Sequence, residues 1–170
     1  MQVTAVYPGT FDPFTNGHID LVQRALRIFP RLVVAVARNP HKSPLFTVEQ
    51  RLAIIREAVG SLPHVELDTF DDLTVDYVRK RGAQVILRGV RAVSDFEAEF
   101  SMALMNRKIS EDIETVFLMP NLAYTYLSSR LVKEVALLGG NVDDLVPPLA
   151  SRLLKERASH MQSEGKGGNG

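Results

Sequence analysis

Apolar and polar positions along the chain alternate between two periods. Residues 3–7 form a short apolar run that stops at Pro8-Gly9, as a strand ending in a turn does. Over residues 18–29 the apolar positions Ile19, Val22, Ala25, Leu26 and Phe29 recur at helical spacing, and Pro30 closes the segment. Residues 32–37 are nearly all apolar and partly β-branched, the pattern of a strand covered on both faces. Thr47 and Gln50 have the spacing of a capping box and open a helix carrying Leu52, Ile55 and Val59, with Gly60 past its end. A strand is predicted over 65–70, a short helix over 74–81 stopped by Gly82, and a buried strand over 85–87. Ser94 and Glu97 predict a second capping box, ahead of a helix with Phe96, Phe100, Ala103 and Leu104 on one side. The last strand, over 115–119, ends at Pro120. A helix then starts at Ser128, carries Leu131, Val132 and Val135, and ends at Gly139-Gly140.

Five strands alternating with helices predict an α/β fold, a five-stranded parallel sheet with helices on both faces. The length of 170 residues suits one domain, expected over 1–158. After Pro147-Pro148 a short helix, about 149–157, is expected to pack on the outside or on a neighbouring subunit. The polar tail 159–170 is expected to be disordered.

Composition narrows the chemistry. Lys+Arg and Asp+Glu both total 20, so no global field draws the chain to nucleic acid or a membrane, and any anion site must be a local cluster. Cysteine is absent, which removes disulfides, thiolate metal sites and thiol nucleophiles. The segment Met1-Gln2-Val3-Thr4-Ala5-Val6-Tyr7 lacks the basic start and long apolar stretch of a signal peptide, and no apolar run approaches a membrane span. A cytoplasmic protein is expected.

Parallel strands gather the residues after their C-terminal ends along one edge, where open α/β sheets bind ligands. That edge should carry Gly9, Thr10 and the 15–18 run, then Arg38, His41 and Lys42, then Asp71, Asp72 and Leu73, then Arg88, Gly89 and Arg91, then residues 121–130. Single charges in loops are usually just solvated. Arg38, Lys42, Arg88 and Arg91 together, beside glycines, point to an anion site for polyphosphate.

Thr15-Asn16-Gly17-His18 falls on the first strand-to-helix turn. Gly17 allows close backbone approach, and His18 lies in a first helical turn, whose free N–H groups favour anions. As imidazolium or as a neutral N–H donor, His18 could hydrogen-bond a phosphate oxygen that gains charge during transfer. Ser128 and Ser129 open another helix, where their hydroxyls could hold phosphates or simply cap it.

The run Tyr7-Pro8-Gly9-Thr10-Phe11-Asp12-Pro13-Phe14-Thr15-Asn16-Gly17-His18 resembles the nucleotidyltransferase superfamily with the (H/T)xGH motif. Within it the chain resembles the bacterial phosphopantetheine adenylyltransferase family. Arg88-Gly89-Val90-Arg91-Ala92-Val93-Ser94-Asp95-Phe96-Glu97, Met105-Asn106-Arg107, and Leu127-Ser128-Ser129 followed by Val132-Lys133-Glu134-Val135 match in order, so the likeness runs to about Pro148. It implies a Rossmann-like fold, a homohexamer, and transfer of AMP from ATP to 4′-phosphopantetheine with Mg²⁺, giving dephospho-CoA and pyrophosphate. CoA is a candidate feedback ligand.

By the same resemblance Thr10 and His18 contact the nucleotide phosphates, and Thr10 also orients the attacking phosphate. Lys42 and Arg88 hold the phosphopantetheine phosphate, and Thr74 lines its arm. Phe11, Gly89, Val90, Arg91, Glu99, Tyr124, Thr125, Tyr126, Leu127, Ser128, Ser129 and Arg130 belong to the ATP site. Catalytic roles fall to His18, Thr10, Lys42 and Arg91. Arg130 departs from the Ser or Thr more usual there, and Thr74 from an apolar residue. No carboxylate cluster has the spacing of a tight metal site, so Mg²⁺ is expected to arrive with ATP. Two other readings compete: a nucleotidyltransferase acting on nicotinate mononucleotide or with CTP, and a non-catalytic nucleotide sensor on the same fold.

Overall fold

The computed structural model describes residues 3–38 and 43–166. Strands β1 (Thr4–Gly9), β2 (Arg31–Ala37), β3 (Val65–Phe70), β4 (Val85–Gly89) and β5 (Glu114–Leu118) alternate with helices α1 (Asn16–Ala25), α2 (Val48–Val59), α3 (Thr74–Lys80), α4 (Val93–Ile109) and α5 (Ser129–Leu137). Helix α6 (Pro148–Lys166) follows. The strand order is β3-β2-β1-β4-β5, with every pairing parallel. The chain winds outward from β1 to β3, then returns across β1 to lay down β4 and β5. The order therefore reverses beside β1, and the β1–β4 crevice is the switch point where open parallel sheets bind ligands.

Side-chain alternation along the strands builds two cores. Ala5, Tyr7, Leu32, Val34, Val36 and Leu87 face one way, onto Leu21 and Val22 of α1, Ile54 and Ile55 of α2, and Val132 of α5. Val6, Val33, Ala35 and Ile86 face the other way, with Val75 and Val78 of α3 and Ile113. The inner strands β1 and β2 are apolar on both faces for that reason.

Several boundaries differ from the sequence expectation. The Thr47–Gln50 capping box forms, with Gln50 N–H on Thr47 Oγ1 at 3.2 Å and Thr47 N–H on Gln50 Oε1 at 3.0 Å. The box expected at Ser94 and Glu97 does not start α4. That helix begins at Val93 behind Ala92, with no side-chain cap. Helix α6 runs to Lys166, so residues 159–166, expected to be disordered, are helical. Nor does α6 lie only on the outside: Ala150 and Leu154 are fully buried in the first core, and this anchors the helix to its own chain.

Candidate nucleotide site at the switch point

A cavity of about 530 Å³ opens at the C-terminal ends of β1 and β4, lined from the loop after β1, the start of α1, the loop after β4, α4 and the start of α5. Its size suits a small-molecule ligand. Of the residues expected at the site, Thr10, Phe11, His18, Arg88, Gly89, Arg91, Glu99, Tyr124, Leu127, Ser128 and Ser129 line this one cavity.

The loop after β1 is shaped by its own residues. Phe11 adopts a left-handed backbone (φ 50°), and the Asp12–Pro13 peptide is cis. A Cβ on Gly9 would come within 2.7 Å of the Phe11 ring, so any side chain there would push the ring from its place. The Phe11 ring packs edge-on against Tyr7 and His18, with centroids 5.2 and 5.3 Å away, while Phe14 stacks on His18 at 5.1 Å. This aromatic cage fixes the imidazole from two sides.

His18 also closes an N-terminal box on α1 in the place usually taken by Glu or Gln. The Thr15 backbone N–H donates to His18 Nδ1 at 2.9 Å, and Thr15 Oγ1 lies 3.0 Å from the same nitrogen. A backbone N–H can only donate, so Nδ1 carries a lone pair and the ring proton sits on Nε2. Burial lowers the His18 pKa to about 3, helped by the charges of Arg91 and Arg88. Of the two forms the sequence allowed, the neutral Nε2–H donor is therefore the one present at neutral pH.

The two arginines are held by carboxylates. Arg88 Nε and Nη2 donate to Glu99 at 2.7 and 2.5 Å, and Nη1 donates to the Pro8 carbonyl at 2.7 Å. Burial opposes the Arg88 charge, but the Glu99 hydrogen bonds and charge outweigh it and raise the Arg88 pKa. Arg91 donates from Nε and Nη2 to Asp95 at 2.8 and 3.2 Å, and from Nη1 to the Leu127 carbonyl at 2.6 Å. Three of the five N–H groups of each guanidinium are engaged, leaving two for a ligand. Glu99 is thus an anchored partner of Arg88, not the solvated helix-flank residue that such a position usually holds.

The serines behave in two ways. Ser128 Oγ accepts from Leu131 N–H at 3.1 Å and caps α5, while Ser129 Oγ donates to the Pro13 carbonyl at 2.7 Å. Ser129 thereby ties the start of α5 to the loop after β1.

Other predicted residues stand apart from the cavity lining. Val90 is buried, and its N–H donates to the Leu118 carbonyl at 3.0 Å. Thr125 turns its hydroxyl to the Leu122 carbonyl at 2.9 Å, and Tyr126 and Arg130 are exposed. Thr74, the first residue of α3, is half-buried beyond the cavity wall. Arg38, expected on the anion edge, is spent on Thr69 Oγ1 at 3.1 Å and does not line the cavity. Lys42 and His41 lie outside the described residues.

Sequence reasoning missed three contributors. Asp12 is 5% exposed and accepts from Phe46 N–H and Leu45 N–H, both at 2.9 Å, and from Lys133 Nζ at 2.5 Å. Lys133 lines the cavity beside Ser129. Asp95 orients Arg91. The carboxylate spacing Arg91–Asp95, one helical turn, was the available signal for the last of these.

The similarity of the chain to known proteins fits this site. Residues 6–135 match the cytidylyltransferase-like family. A phosphopantetheine adenylyltransferase of Alkalilimnicola ehrlichii is 57% identical, over 98% of this chain and 97% of that protein. One from Anaeromyxobacter dehalogenans is 57% identical over 92% and 96%. A crystal structure from Vibrio parahaemolyticus assigned as a nicotinate-nucleotide adenylyltransferase superposes with a TM-score of 0.66 over 93% of this chain and 94% of that one. At 15% identity it speaks to the fold alone. Fold, cavity and near-full-length identity converge, and the chain belongs to the phosphopantetheine adenylyltransferase family.

Proposed function

We propose that this protein transfers AMP from ATP to 4′-phosphopantetheine, releasing pyrophosphate and forming dephospho-CoA. The observation that carries the reading is a neutral His18, its Nε2–H the ring's one remaining donor, in the same cavity as the half-engaged Arg88 and Arg91. An oxygen of the 4′-phosphate attacks the α-phosphorus in line. The new P–O bond forms as the bond to the bridging oxygen of the β-phosphate breaks, and pyrophosphate leaves with the electron pair. No covalent enzyme intermediate is needed.

The residues act by position and charge. His18 donates from Nε2 to an α-phosphate oxygen as charge builds there, worth several kcal/mol if it behaves like other oxyanion donors, of order 10²–10³ in rate. Thr10 bridges the nucleotide and the attacking phosphate. Arg88, with Lys42, holds the phosphopantetheine phosphate, and Arg91 offsets charge on the leaving group. Ser128, Ser129 and the amides at the start of α5 receive the β- and γ-phosphates.

Mg²⁺ supplies charge neutralisation when bound to the triphosphate. Among the described residues no three His, Asp or Glu side chains gather to hold a metal. Asp12, Asp95 and Glu99 are each committed to a cation. This donor set suits a metal that arrives on ATP rather than one held by a protein cage.

The protein works in the cytoplasm as a homohexamer, with CoA as a feedback ligand that carries the product's own arm. No helix among the described residues is long and apolar enough to cross a membrane. Exposed Phe96, Phe100, Met102, Leu104 and Met105 on α4 are consistent with burial between copies. Pyrophosphate release from ATP and Mg²⁺ with phosphopantetheine, nicotinate mononucleotide or an alcohol phosphate as acceptor tests the reading. Turnover should appear with phosphopantetheine alone, and a preference for another acceptor would refute it.

A further inference from the structure

Arg51 is the bulkiest fully buried side chain among the described residues, 1% exposed on the inner face of α2. A buried guanidinium is expensive unless its donors are satisfied, and an apolar residue of the same volume would be the cheaper filling. Its acceptors are backbone carbonyls. Nη1 donates to the Thr10 carbonyl at 2.7 Å and to the Ala37 carbonyl at 2.9 Å, and Nε reaches the Thr47 carbonyl at 3.4 Å. Burial lowers the Arg51 pKa, and the charges of Asp12 and Glu49 offset only part of that.

The location gives these bonds meaning. Strands β1 and β2 run in register to the pair Gly9 and Val36, so Thr10 and Ala37 are the next rung, where the ladder stops. One nitrogen of Arg51 bridges the two carbonyls at that point. The next residue, Phe11, turns left-handed and starts the loop to His18. Thr10 thus leaves the sheet with its main chain gripped from beneath while it lines the cavity above.

We propose that Arg51 is a positioning residue for adenylyl transfer, holding the main chain of Thr10 so that this residue meets both the nucleotide and the attacking phosphate. The proposal rests on the function given above. Misplacing a bridging group by about 1 Å can cost on the order of 100-fold in rate. Arg51 itself touches no substrate.

Two variants test it: Arg51→Lys, whose side chain is one atom shorter, draws its nitrogen back from the two carbonyls and has no Nε donor for Thr47, and Arg51→Met, which nearly keeps the volume and has no donor. In either, kcat should fall by roughly 10–100-fold while KM for ATP changes by less than about 3-fold. In a Thr10→Ala background the same change should cost far less, because the group being positioned is gone. Amide hydrogen exchange at Thr10 and Phe11 should quicken in the full-length variants while exchange in the strand centres holds. This last readout does not depend on activity, so it judges the grip on Thr10 even if the wild type proved to use another acceptor. Unchanged exchange at Thr10, additive effects with Thr10→Ala, or near-normal kcat would each overturn the proposal. Failure of both variants to fold would do so too, by making Arg51 a stability residue only.

Discussion

A neutral His18 leaves a thermodynamic signature. With its pKa lowered from 6.5 to about 3 by burial and by Arg91 and Arg88, the folded protein resists protonation that the unfolded chain accepts. As pH falls below about 6.5 the unfolded state binds the proton first, so stability drops through the window down to about 3 and is fully present above it. The full shift would cost about 2 kcal/mol at pH 5 relative to neutral pH, from roughly 1.36 kcal/mol per pH unit. The ring is only half-buried and borders an open cavity, so solvent relieves part of this, and about 1–2 kcal/mol is expected. Urea unfolding of wild type and His18→Gln at pH 7.5 and 5.0, at one protomer concentration, isolates the term, because the other titrating groups cancel in the difference. Wild type should lose about 1–2 kcal/mol more than the variant between the two conditions. Equal losses would mean that the folded protein protonates His18 as readily as the unfolded chain does, and the lowered pKa would be wrong.

Gly9→Ala places a Cβ 2.7 Å from the Phe11 ring, and should cost about 1–3 kcal/mol in unfolding free energy and lower turnover by shifting the cage around His18. Phe14→Ala, at a fully buried ring stacked on His18, should cost about 3–5 kcal/mol by denaturant titration. Arg88→Lys loses the planar fork shared between Glu99 and a ligand, so KM for phosphopantetheine should rise by roughly 10-fold or more in steady-state kinetics. Chelation by EDTA should abolish pyrophosphate release, and added Mg²⁺ should restore it.

The sheet was legible because its signal is local. Strands apolar on both faces and helices bounded by Gly60, Gly82 and Gly139 are written in short windows, and the boundary of β3 came out to the residue. The start of α4 was misplaced because Ser94-x-x-Glu97 has capping-box spacing, yet the turn after β4 already sets Val93 in the helix. The tail was misjudged because polar composition argues against a core, whereas 159–166 only prolong a helix nucleated by buried Ala150, Leu154 and Ala158.

At the site, residues on a motif were found, and residues that serve it from a distance were not. His18, Arg88 and Arg91 follow strand ends, so topology alone gathers them. Asp12 meets Lys133 across 121 positions, a contact no local pattern reports. Arg51 did leave a trace. It precedes Ile54 and Ile55 by three and four residues, which puts an arginine on the buried stripe of α2. The tautomer of His18 was beyond sequence because it depends on which ring nitrogen meets the Thr15 amide.

Turnover by wild type and His18→Ala, with ATP, Mg²⁺ and 4′-phosphopantetheine, tests the central claim most directly. Pyrophosphate and dephospho-CoA should form in equal amounts with the wild type. For the variant, kcat should fall by at least about 10²-fold while ATP affinity changes much less. Near-normal turnover without His18, or pyrophosphate release without dephospho-CoA, would contradict the account.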